Sequence, residues 1–196
     1  VTHGGDAGAS LVELLVTLAV VASLVALTVP LVGNARDHHD GRQAAAFLAG
    51  QFRQCRQLAI ETGRHTAIVF EPAAGPSVGW TLRRCWDGDN DGVRRADINA
   101  GTDPCDPAAH DIQAWFGTTT IDRDAGVPTV GGSLTGASVA FGSARMASFS
   151  PLGTASSGSV TLRTRGGAHF AVGLAGVTGR VRLYQFAPGP RLWQPL

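Results

Sequence analysis

Arg180 and Arg182 frame a Gly-Arg-Val-Arg segment near the end of the chain. On a β-strand, alternation places Val181 and Leu183 on one face and the two Arg on the other, their stems about 7 Å apart. That distance is on the scale of neighbouring phosphates along a nucleic-acid strand, and guanidinium forks suit phosphate oxygens. Arg163 and Arg165 repeat the pattern on a second candidate strand. Such chemistry is electrostatic, so binding would be weak, sequence-independent and salt-sensitive. An ordinary solvated strand face is the alternative.

A second cluster lies in Cys-Trp-Asp-Gly-Asp-Asn-Asp-Gly, which starts at Cys85. Asp87, Asp89, Asp91 and Gly92 match the first, third, fifth and sixth places of a calcium loop. The twelfth place, which should hold a bidentate Glu, is Ile98. Asp, Asn and Gly together also make turns, and the turn stands ahead of calcium here. Enzyme signatures are missing: there is no Gly-x-Ser-x-Gly, no phosphate-binding loop, no dinucleotide motif and no His/Cys pair at zinc spacing. His65, His110 and His169 are isolated. No catalytic residue and no cofactor is expected.

The elements that must position these residues follow from periodicity and charge. All 16 basic residues are Arg, and net charge is +1. No carboxylate follows Asp124, whereas six Arg do. Near the start, Leu14 to Gly33 is a run of 20 uncharged residues. A helix of that length rises about 30 Å, the thickness of a hydrocarbon core, so a transmembrane segment is expected over 9–33. Beyond it, Ala44 or Ala45, Leu48, Phe52, Cys55 and Ala59 recur at helical steps, with Gly63 as C-cap. One long helix from Ala9 to Thr62 is expected, its amphipathic half at 34–63, with soft points at Gly33 and Gly41. Cys55 falls on the apolar stripe as a core thiol. From 64 the period becomes two, with strands expected at 65–72, 79–87, 111–116, 137–143, 144–151, 158–165, 168–175 and 179–186, separated by Gly, Pro, Ser and Asp. The expected fold class is α+β: the helix packed on an antiparallel two-sheet β-domain at 64–196. Asp122 to Gly136 is expected to be a flexible connection.

Two groups of residues carry a family resemblance. Gly8 followed by Ala9-Ser10-Leu11-Val12-Glu13, then an apolar helix containing Pro30, resembles a type IV pilin-like precursor. The resemblance implies a leader at 1–8, prepilin peptidase cleavage between Gly8 and Ala9, methylation of Ala9, and Glu13 as an assembly residue. A cut there would leave an amine about one helical turn from the Glu13 carboxylate. Each charge would favour a partner on a neighbouring subunit. Phe-x-Pro-x-Gly at 149–153, two further strands and Thr-Gly-Arg-Val-Arg at 178–182 resemble the GspH/FimT branch of minor pilins and pseudopilins. That branch implies a periplasmic β-rich domain at 64–196, anchored by a single pass in the inner membrane. Its partners would be major and minor pilins or pseudopilins, the prepilin peptidase, and DNA bound non-specifically through the Arg pairs. In an oxidising periplasm Cys85 and Cys105 would form a bridge; two separate thiols are the alternative. The implied function is a minor pilin that initiates or caps a type IV pilus. A type II secretion minor pseudopilin, acting in protein secretion without DNA, is the second possibility.

Overall fold

The computed structural model describes residues 10–73, 79–134 and 136–196, with backbone alone at 27–32 and 34. The leader at 1–8 and the pair Gly8 and Ala9 lie outside the described residues. Two compact units divide the chain, residues 1–36 and 37–196.

Helix α1 runs over Leu11–Thr62 and crosses from one unit to the other. In the first unit its large apolar side chains are exposed, from Leu11 at 76% to Val25 at 53%. Among the described residues, no helix is long and apolar enough to cross a membrane. Glu13 falls inside the apolar first stretch of α1. Two expectations from the sequence are corrected. Among the described residues the α+β fold has no transmembrane first half of the kind expected at 9–33, and single-pass anchoring in the inner membrane is not supported.

In the second unit α1 is amphipathic. Gly41, Ala44, Ala45, Leu48, Ala49, Phe52, Cys55 and Ala59 recur at three- and four-residue steps, and all are buried. Gly63, at φ 64°, ends the helix in the left-handed conformation that suits glycine.

The rest of the unit comprises β1 (Thr66–Pro72), β2 (Trp80–Trp86), α2 (Arg95–Ala100), β3 (His110–Asp111), α3 (Ile112–Phe116), β4 (Thr119–Thr120), β5 (Val139–Ala140), β6 (Met146–Phe149), β7 (Gly158–Thr164), β8 (His169–Ala175), β9 (Arg180–Ala187) and β10 (Leu192–Pro195). A first antiparallel sheet has the order β3-β2-β1-β6. A second has the order β10-β9-β8-β7-β4, with β5 also on β7. Of residues 111–116, expected as a strand, only Asp111 is in one; Ile112–Phe116 form a short helix instead. The Asp111 carboxylate accepts the Gln113 N–H and caps it.

The amphipathic face of α1 and the inner faces of both sheets share one core. Phe52 lies edge-on to Phe70 and Phe141, with centroids 6.3 and 5.9 Å away. Strand β1 has five consecutive buried residues because both its faces are covered. Ile68 and Phe70 belong to the main core, while Ala67 and Val69 join Cys85, Val93 and Met146 in a second cluster.

Gly41 marks a close approach of α1 to the second sheet. A Cβ there would lie 2.5 Å from Thr164 Cγ2 and 2.6 Å from Phe170 Cε2. Gly41→Ala is therefore expected to cost about 1–3 kcal/mol through overpacking. Gly50→Ala, where a Cβ meets open space, should instead stabilise the helix by about 0.5–1 kcal/mol. Urea unfolding of the two variants checks this; equal midpoints would contradict it.

Candidate functional site

The site grows from the start of β9. Gly179 has φ 61°, and a Cβ there would stand 2.4 Å from the Gly153 carbonyl oxygen and 2.5 Å from Arg56 Nε. Arg56 Nε donates to that same carbonyl at 2.8 Å. The Phe-x-Pro-x-Gly and Thr-Gly-Arg-Val-Arg pieces thus meet on one helix side chain. This close approach requires glycine at 179 and sets where β9 begins.

From there, strand alternation separates the faces. Val181 and Leu183 pack against the main core, while Arg180 and Arg182 are exposed. Across the sheet Arg180 faces Ala175 and Arg182 faces Gly173, and Ser159 on β7 stands opposite Gly173. These small residues leave an open depression of about 620 Å³, lined also by Thr129, Val130, Gly131 and Tyr184. No carboxylate lines it, and neither Arg has an ion-pair partner among the described residues.

Arg163 and Arg165 do not join this group. Arg163 stands opposite His169, at the far end of β8 from Gly173 and Ala175. Its guanidinium is held by Asp122 at 2.7 Å and Asp124 at 3.0 Å. Arg165 is exposed beyond β7 and lines a separate depression of about 300 Å³ with Gln113, Thr118 and Thr120. The described part of 122–136, expected to be a flexible connection, is folded onto the sheet. Arg123 donates to the carbonyls of Val127, Leu134 and Gly136, and Trp193 Nε1 donates to Pro128 O at 2.9 Å. His169 is buried beneath it. Burial lowers its pKa, against the opposing pull of Asp124, and the ring accepts the Asp124 backbone N–H at 3.4 Å.

The acidic loop is built as a cover for β1 and β2. Cys85 and Cys105 are joined in a disulfide. Asp87 is fully buried; its two oxygens accept the N–H groups of Asn90 at 2.7 Å and Gly92 at 2.9 Å. Asp103 does the same for Gly88 and Arg94. Asp89 and Asp91 are exposed, with carboxylate oxygens within 4.8 Å of Asp87 and of each other, and Asp91 pairs with Arg94. The Asp87 oxygens thus serve the loop's own backbone, which is the turn chemistry. Burial pushes the Asp87 pKa up, but the backbone N–H groups outweigh it and hold it below the usual carboxylate range. Arg95 ties the loop down through Glu71, Phe70 O and Ala144 O.

Of the other expected residues, Glu13 is exposed in the first turn of α1, where the helix dipole favours an acid. Cys55 is buried against Thr66, and burial raises its thiol pKa to about 11. The sequence reading missed Tyr184 and Gly173. Period two carries the Arg180 face on to Tyr184, so that signal was present. Nothing local marks Thr129 to Gly131 as a wall.

Two outcomes follow for the loop. Reducing the bridge, which closes a separation of 20 residues, should cost about 3 kcal/mol; identical urea midpoints with and without reductant would refute this. Because folding depresses the Asp87 pKa, its contribution is full above the unfolded value of about 3.9 and fades as pH falls through the lower folded value. Asp87→Asn should therefore lower stability at neutral pH and flatten the acid limb of a Tm-against-pH curve. An unchanged acid limb would exclude that role.

Beyond this geometry, no family model, no curated protein and no solved structure matches the chain.

Proposed function

We propose that this chain is a minor pilin-like subunit of a type IV pilus system. It joins a filament through its N-terminal helix, to initiate or cap it, and holds DNA without sequence preference through Arg180 and Arg182. The observation that carries the DNA-binding role is the pair itself: two exposed guanidinium groups on one strand face, with no ion-pair partner among the described residues. Guanidinium pairs with that freedom suit a polyphosphate backbone.

Assembly draws on the first unit. The exposed apolar side chains of residues 11–25 favour packing against like helices of other pilins. Prepilin peptidase cleavage after Gly8 would place the Ala9 amine near Glu13, and each charge would find its partner across subunits. The second reading is a type II secretion minor pseudopilin. The capture of Arg163 by Asp122 and Asp124 favours it, since only part of the expected basic surface remains for DNA.

Duplex binding by the full chain, titrated against salt, separates the two. The parent should lose affinity steeply with salt. Arg180→Ala with Arg182→Ala should reduce the log–log slope by about 2, one for each phosphate contact, at unchanged Tm. If parent and double variant retain duplex equally at low salt, DNA binding by this face is excluded and the secretion reading stands.

A further inference from the structure

The depression beside the Arg pair is larger than a phosphate needs. Its volume of about 620 Å³ lies within the roughly 300–1,000 Å³ of sites that take whole small ligands. Its chemistry is divided. Arg180 and Arg182 supply positive charge on one side, whereas Val130, Ala140, Ala175 and the Tyr184 ring supply apolar and aromatic surface. Gly173 makes the arrangement possible: Tyr184 Cε2 lies 3.0 Å from where a Cβ at 173 would stand, and Val130 Cγ1 lies 3.7 Å from the same point. The ring and the wall therefore converge over a floor that has no side chain.

A ligand complementary to this shape carries an anionic backbone beside a flat, largely apolar group, and a nucleotide has both. A paired base is stacked inside its duplex and reaches a pocket only by flipping out, at a cost of a few kcal/mol. A base in a single strand meets no such barrier, and single-strand sites combine a positive groove with an aromatic platform. We propose that this depression takes one nucleotide of single-stranded DNA. The base lies against Tyr184, and the neighbouring phosphates lie on Arg180 and Arg182. The proposal rests on the DNA-binding reading above and adds to it a preference in strandedness and a role for Tyr184.

The test is fluorescence anisotropy of the full chain with labelled oligo-dT and with a duplex of equal length. Tyr184→Leu should weaken oligo-dT binding about tenfold, within the range measured for loss of a stacking partner, and leave duplex binding unchanged. Tyr184→Phe should bind like the parent. Gly131→Trp fills the depression from a loop where a Cβ meets only Thr129 Oγ1 at 3.9 Å, and should reproduce the loss without touching the sheet. If oligo-dT affinity survives both Tyr184→Leu and Gly131→Trp, or if both substitutions weaken duplex equally, the nucleotide pocket is overturned while the Arg-pair reading stands. If neither DNA responds to Arg180→Ala with Arg182→Ala, the Arg-pair reading itself falls.

Discussion

The second unit depends on one seam, the stripe of α1 from Gly41 to Ala59. Both sheets present apolar inner faces, and each buried side chain of that size is worth roughly 1.5–3 kcal/mol only while water is excluded. The helix excludes it. Leu48 and Phe52 belong to the core that both sheets share, and the small residues Gly41, Ala44, Ala45 and Ala49 keep the helix face low. Next to Cys55 on the same stretch, Arg56 links the helix to Gly153 and Gly179. The start of β9, and with it the direction of Arg180 and Arg182, is therefore inherited from the helix.

The uneven charge of the chain has a related structural reason. Most acids of the middle segment have internal tasks: Asp87 and Asp103 hold backbone N–H groups, Asp106 pairs with Arg84, and Asp122 and Asp124 pair with Arg163. Partly exposed ion pairs add little stability each. Their larger effect is to decide which guanidinium groups remain available. The disulfide and Arg95 fix the acidic loop over β1 and β2, so its carboxylates stay committed there.

Much of this was legible in the residues. The helical stripe, the C-cap at Gly63, the strands that became β1, β2 and β7 to β9, and the alternation along β9 all rest on local periodicity. What was not legible is non-local or short. Residues 111–116 satisfy both periods within six residues, so only the Asp111 cap separates helix from strand. Strand β4 spans two residues and has no pattern of its own. The loop over His169 is held by carbonyls accepting from Arg123 and Trp193, side chains whose targets no spacing reveals. The membrane expectation rested on a count of uncharged letters; among the described residues no helix is long and apolar enough to cross a membrane.

Arg163 and Arg182 show how far pattern alone reaches. Each sits in an Arg-x-Arg or Arg-Val-Arg stretch on the outer face of the same sheet, and the sequence treats them alike. Register divides them. Strand β4, which ends beside the acids at 122 and 124, pairs along β7 so that Thr120 meets Arg163. The chain thereby delivers two carboxylates to that guanidinium from 39 and more residues away. Strand β9 has β10 on its other side, and β10 carries no acid. Availability of a basic group for a phosphate is thus a property of the neighbouring strand, and at Arg180 and Arg182 that neighbour leaves the charge unopposed.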